Sequence, residues 1–142
     1  MTDDLITIAR KYYQSYVEKN RTGIEAIIDD QFRFSSPWDN KISRATFFER
    51  CWPNSEMITG FDLINLVVDG ECAFVTYEGH SMNGKPFRNT EIMTIRNGKI
   101  IDIEVYFGWL IPHDAPAGGF VDPHAQSQLA SHPEDQAGGR QP

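Results

Sequence analysis

The chain has 142 residues, 40% of them hydrophobic and 12% aromatic, enough to bury a substantial core in one domain without disulfide or metal staples. Its net charge of −7, with the Lys and Arg scattered, excludes a clustered basic surface for nucleic acid. Two cysteines, Cys51 and Cys72, lie in different predicted elements without CxxC or Cys/His ligand spacing, which argues against zinc and against a disulfide framework.

The start, "MTDDLITIARKYY", becomes polar within a few residues and lacks the regions of a signal peptide. No apolar run approaches the ~18 residues of a membrane span. The expectation is a cytoplasmic protein. Leu5, Ile8, Ala9, Tyr12, Tyr16 and Val17 recur at three- and four-residue intervals and predict a helix over about residues 3–19. "TGIE" then opens a second, short helix closing near Asp30, with Thr22 as its cap and Glu25 returning a bond. "QFRFSS" alternates Phe32 and Phe34 with polar residues, as a strand does, before Pro37. Ser43 caps a third helix that Pro53 terminates, with Cys51 and Trp52 on its inner side.

From there the period changes from helical to two. Four strand candidates, "ITGFDLINLVVDG", "ECAFVTYEGHSM", "KPFRNTEIMTIR" and "KIIDIEVYFGW", are separated by "DGE", "NGK" and "NGK" turns, the pattern of an antiparallel meander. Helices followed by a meander make an α+β domain in which helices cover one sheet face. In the last strand Ile101, Ile103, Val105, Phe107 and Trp109 are expected to face the helices, and Asp102, Glu104 and Tyr106 to point away. The folded domain is expected to occupy residues 1–122, with Phe120 and Val121 able to tether its end. Residues 123–142, rich in Pro, Gly, Gln and His, are expected to form a disordered tail, and the spacing of His113, before it, with His124 and His132 inside it does not suggest a metal site.

The order helix, helix, strand, helix, meander, with "SSPWDN" after the first strand and "RNGKIIDIEVYF" in the last hairpin, resembles the nuclear transport factor 2 superfamily, in its SnoaL-like branch, over about residues 5–111. The resemblance implies a cone in which three N-terminal helices and a strongly curved antiparallel sheet enclose a pocket. It also implies a homodimer through the outer sheet face, here Thr90, Ile92, Thr94, Glu104 and Tyr106. In ketosteroid isomerase-like, polyketide cyclase-like and limonene epoxide hydrolase-like members, pocket carboxylates do the chemistry. Matching the hydrolase-like run "RDYFD" by its "YF" pair places Val105 at the catalytic Asp and Gly108 at the later one, so neither acid is present here. The Arg-x-Asp pair of those relatives falls on Glu78 and His80.

A two-residue Asn83-Gly84 turn would set Glu78 opposite Asn89 and Thr76 opposite Glu91 on one face. A carboxylate in an apolar pocket has its proton affinity raised by desolvation, and a neighbouring His can exchange the proton. Glu78, His80 and Glu91 are therefore the candidate acid-base residues. Tyr12, Tyr16, Trp38, Trp52, Asn89, Met93, Val105 and Phe107 are the candidate ligand-binding residues, bounding an enclosed pocket. Asp39 reads as a turn residue of its loop. In the last hairpin a three-residue Arg96-Asn97-Gly98 loop with a Gly bulge is expected, because a two-residue turn would pair Glu91 with Glu104. The functional expectation is binding of a compact apolar molecule, with cofactor-free, metal-free isomerase, cyclase or hydrolase chemistry. The alternative is a non-catalytic module for a lipophilic ligand or for dimerisation.

Overall fold

The computed structural model describes residues 2–123; the expected tail from 124 onward lies outside them. Helix α1 spans Thr2–Glu18 and α2 Arg21–Ile27, followed by β1 (Ile28–Ser35), β2 (Ile42–Ser43), α3 (Arg44–Arg50), a 3-10 turn (Trp52–Glu56), β3 (Ile58–Asp69), β4 (Cys72–Ser81), β5 (Phe87–Arg96) and β6 (Lys99–Leu110). The α+β expectation is met: helices pack on one face of a curved, unclosed sheet of strand order β2-β1-β6-β5-β4-β3. The meander β3 to β6 is antiparallel, while β1 returns to lie parallel to β6.

The helix ends follow local chemistry. Asn20, not Thr22, caps α2: its Oδ1 accepts from the Gly23 amide at 2.9 Å, and the helix yields to β1 already at Ile28. Asn is at least as good a cap as Thr, and it reaches the third amide from one turn earlier. Ser43 caps α3 as expected, by accepting from the Thr46 amide. Pro53 sits at the start of the 3-10 turn that ends the helical segment.

Two registers differ from expectation. In the β4–β5 hairpin Glu78 lies opposite Arg88, and Tyr77 opposite Asn89. The reason is visible at Gly79, which faces Phe87: the ring covers the glycine so closely that a Cβ there would meet it at 2.4 Å. An aromatic ring laid over a strand glycine pins that pair, and the shift of one residue exchanges the faces that a two-residue turn would have assigned. In the β5–β6 hairpin the turn is two residues after all, Asn97 and Gly98, both at positive φ (54° and 77°), with Arg96 opposite Lys99. The like charges are still kept apart, because the register shifts between Thr94 and Ile95 and leaves Ile101 as an extra residue. Glu91 consequently faces Val105, and Glu104 faces Ile92. A bulge inside the strand supplies the one-residue correction expected of the turn.

A second shift near the end of β6 leaves Phe87 opposite Leu110 and Asn89 opposite Phe107. Strict alternation in β6 therefore runs from Asp102 to Phe107. Ile103 and Val105 are buried and Phe107 packs against the core. Ile101, the bulge residue, is only partly buried, and Trp109 is 46% exposed, so neither joins the inner row. Phe120, at 85% exposure, does not tether the segment after β6.

Gly108 occupies the second irregularity, and a Cβ there would lie 2.3 Å from the Arg88 carbonyl oxygen. Backbone cannot move aside as a flexible side chain can. Gly108→Ala should lower stability by roughly 1–3 kcal/mol in urea unfolding. Gly60→Ala, where a Cβ meets nothing within 4 Å, should change it by no more than about 0.5 kcal/mol. Equal effects at the two positions would contradict this account of the bulge.

Candidate functional site

Glu91 is the centre of the site. It lies in the middle of β5, whose inward residues Phe87, Asn89, Glu91, Met93 and Ile95 are all buried. The carboxylate is fully buried and held by two tyrosines. Tyr77 of β4 donates to Oε2 at 2.6 Å, and Tyr13 of α1 donates to Oε1 at 3.1 Å. Behind Tyr77, Asn89 Nδ2 donates to the Tyr77 hydroxyl at 3.2 Å, and the Gly108 amide donates to Asn89 Oδ1 at 3.3 Å. Burial pushes the Glu91 carboxyl up to about 7, against the lowering pull of the Tyr77 and Tyr13 bonds. Hydroxyl donors stabilise the anion less than a cation would, so desolvation wins.

Aromatic rings surround the carboxylate. Tyr13 meets Phe61 at 5.1 Å and Tyr77 at 5.3 Å between centroids, Phe61 meets Tyr77 at 5.2 Å, and Tyr16 meets Trp52 at 5.0 Å. All four of these contacts are edge-on or tilted rather than face-to-face, as ring quadrupoles favour. Tyr12 and Tyr16, both fully buried, complete the cluster from α1. Their hydroxyls lie near enough to perturb one another, yet neither forms a well-made hydrogen bond. Burial pushes the hydroxyls of Tyr12, Tyr13, Tyr16 and Tyr77 far above their ordinary values, with the Glu91 charge adding to the rise.

The predicted residues separate into two groups. Tyr12, Tyr16, Asn89, Met93 and Val105 are buried on the Glu91 side of the sheet, and Phe107, opposite Asn89, packs against the same core. Trp52 joins through Tyr16, and Trp38, in the loop after β1, lies farther along against Phe107 at 6.1 Å. Around Glu91 the rings of Tyr13 from α1, Phe61 from β3 and Tyr77 from β4 stand in mutual contact. Glu78 and His80 are on the opposite face. Glu78 is ion-paired with Arg88, and His80 Nε2 lies 2.9 Å from Asp62 Oδ2. The physical reason is the register pinned by Phe87 and Gly79, which turns Ala73, Val75 and Tyr77 inward and the charged row outward. Ligand atoms of Asp62, Glu78 and His80 fall within 4.8 Å of one another, a closeness that the Asp62–His80 and Glu78–Arg88 pairs account for. Asp39 is a structural residue as expected: buried at 7%, it accepts from Ser36 Oγ at 2.8 Å and pairs with Arg50 of α3.

Sequence reasoning missed Tyr13 and Tyr77. Tyr77 was signalled by its alternation with Ala73 and Val75, the apolar half of β4. Tyr13 is four residues from Ala9 and widens the α1 stripe by one position, a small signal beside Tyr12 and Tyr16.

With this geometry in place, the comparison with known families decides the affiliation: the profile of the SnoaL-like domain matches residues 9–103. The chain belongs to the SnoaL-like domain family. A solved nuclear transport factor 2-like protein of unknown function from Burkholderia xenovorans LB400 is 22% identical, covering 89% of this chain and 93% of that one with a TM-score of 0.62. An LEH-like epoxide hydrolase from M. tuberculosis is 14% identical over 75% of this chain and 84% of that one, TM-score 0.61. A de novo designed protein with a curved β-sheet matches 93% of this chain and 95% of its own at 14% identity, TM-score 0.66. These likenesses speak to the SnoaL-like fold alone, as the designed protein makes plain. The comparison with curated proteins returned no match. No helix among the described residues is long and apolar enough to cross a membrane.

The raised Glu91 value has a stability consequence. The ordinary carboxyl value is 4.5 and the folded one about 7, so between those pH values the native state binds more protons than the unfolded chain. Stability must then fall as pH rises through the window, by on the order of 3 kcal/mol in all, and level off above it. In Glu91→Gln this component should vanish. Urea unfolding of both proteins from pH 4.5 to 8 checks it: the difference in stability between them should drift with pH, and a constant difference would show that Glu91 ionises normally.

Proposed function

We propose that this SnoaL-like domain binds a compact, largely apolar molecule carrying a carbonyl, hydroxyl or epoxide oxygen, and that Glu91 moves a proton on it. The observation that carries this reading is a single buried carboxyl held between two tyrosine hydroxyls, with a proton affinity near neutrality. An acid-base group works best when its pKa lies near the operating pH, because both protonation states are then populated. In a purely structural core the same volume would be filled more cheaply by an apolar side chain, since burying a carboxyl among rings costs several kcal/mol unless fully compensated.

Tyr12 and Tyr16 support the binding half of the proposal. An unpaired buried hydroxyl costs about 1–3 kcal/mol, a cost that a ligand oxygen between α1 and the sheet would relieve. They are also the two tyrosines of α1 that make no hydrogen bond to Glu91, so their hydroxyls are the ones a ligand oxygen would engage. Asn89, Met93, Val105, Phe107, Trp52 and Trp38 would form the remaining walls. The chemistry proposed is isomerisation, cyclisation or hydrolysis run by the chain's own side chains. Val105 and Gly108, which stand where hydrolase-like relatives carry acids, favour a second reading in which the domain binds its ligand without turnover.

Native mass spectrometry of the purified protein identifies a co-purifying molecule, and that molecule and its close analogues are then assayed. Glu91→Gln should reduce turnover by at least about a hundredfold while binding stays within about tenfold. Binding retained with no turnover in the unaltered protein supports the non-catalytic reading, and failure to bind any such molecule removes both.

We further propose a homodimer through the outer sheet face. Val67 (58% exposed), Phe74 (37%) and Tyr106 (54%) lie there, with Val67 opposite Phe74 and Phe74 opposite Ile92. An apolar and aromatic row on a strand surface is the composition of an interface core. Sedimentation should show a dimer at tens of micromolar, roughly where a moderate interface holds, and Phe74→Asp should make it monomeric with its circular dichroism unchanged. A monomeric starting protein would refute the interface.

A further inference from the structure

The route from the Gly108 amide to Glu91 is directional at every step. A backbone amide can only donate, so the end of the Asn89 amide facing Gly108 must be its oxygen, and the NH2 end then faces Tyr77. Receiving that N–H, the Tyr77 oxygen presents a lone pair to Asn89 and turns its single proton toward Glu91, at the short separation of 2.6 Å. The first link depends on the close approach of two strands. Gly108 lies at the bulge where the backbone of β6 comes so near β5 that a Cβ would strike the Arg88 carbonyl at 2.3 Å. Asn89 is the next residue along, 2% exposed.

We infer that Asn89 is a positioning residue, which with the Gly108 amide fixes the direction of the Tyr77 proton and through it the readiness of Glu91 to give up or accept a proton. This rests on Glu91 being the working group of the site. It assigns to Asn89 a role distinct from ligand contact, and it accounts for the close-packed glycine at 108: the backbone amide there anchors the relay. Donation from Asn89 polarises the Tyr77 hydroxyl and makes it a better donor to the carboxylate. Without Asn89, Tyr77 can turn and accept from the protonated acid, so the protonated form gains. The groups facing Glu91 are Tyr12, Tyr13 and Tyr16 from α1, Tyr77 from β4 and Asn89 from its own strand, with Val105 opposite on β6. Charged side chains do not figure among the causes of its raised proton affinity, so the tyrosines and Asn89 are the levers.

Carbon-13 NMR of protein labelled at the Glu side-chain carboxyl follows Glu91 through a titration from pH 4.5 to 9. In Asn89→Leu the Glu91 midpoint should rise by about 0.5 to 1 unit, and in Tyr77→Phe by at least as much. In the double variant Asn89→Leu should add nothing to Tyr77→Phe, because its effect passes through the missing hydroxyl. An unchanged midpoint in Asn89→Leu, or an equal further rise in the Tyr77→Phe background, overturns the inference. The unaltered protein provides a check that survives any folding defect of the variants. The side-chain amide protons of Asn89 should titrate with the Glu91 midpoint, and amide protons that stay fixed across that range would equally overturn it. The readout is the titration itself and needs no substrate, so a failure of catalysis by Glu91 is told apart from a failure of the relay.

Discussion

The burial of one carboxyl among rings governs the architecture of this domain. Glu91 can sit at zero exposure only because donors arrive from two separate elements, Tyr13 from the first helix and Tyr77 from the neighbouring strand. Removing either would leave an acceptor in a low-dielectric interior with part of its capacity unused. The carboxylate thereby ties α1 to the sheet at a defined height, and the rings of Phe61, Tyr16 and Trp52 arrange themselves around that tie. Packing alone would tolerate several placements of an aromatic helix on an aromatic sheet; a two-donor carboxyl accepts far fewer.

The outer face shows the contrasting electrostatic regime. Glu78 with Arg88, His80 with Asp62 and Glu71 with Arg96 are pairs with solvent access, where water screens the charges and each pair contributes little. The same residue type thus does different work on the two sides of one sheet. Inside, a glutamate without a cation is driven toward neutrality. Outside, Glu71 beside Arg96 is held below its ordinary range by the guanidinium bonds. Side of the sheet, set by register, decides the chemistry available to an acid.

Much of the fold was legible because it rests on local signals. The α1 stripe, the Ser43 cap and the four alternating strands each have a physical cause visible within a few residues, and the resemblance to the SnoaL-like branch added the curvature. The register of the β4–β5 hairpin was not legible, since a ring lying over Gly79 is a cross-strand contact that no turn motif announces. That single slip placed Glu78 and His80 inside. The polarity of β4 argued the other way: Ala73, Val75 and Tyr77 form its apolar half, and burying Glu78 with His80 would have required compensating partners. Glu91 takes the inward face expected of it, alternating with Asn89 and Met93 along β5. Tyr13 stayed hidden, being one of three tyrosines in five residues whose separate tasks only a folded helix distinguishes.

Two irregularities divide β6, one at Ile101 and one at Gly108. Between them lie six residues, Asp102 to Phe107, whose inward or outward phase is insulated from both flanks: the extra residue at Ile101 absorbs the phase of the Asn97-Gly98 turn, and the crowded glycine at 108 absorbs that of the segment beyond. Such a strand behaves like a vernier held by two clamps. The hairpin tip and the outgoing chain can be lengthened, shortened or regrafted without rotating Val105 away from Glu91, whereas the loss or gain of a single residue inside the window, from Asp102 to Phe107, would exchange the wet and dry sides of the residues on one side of the change.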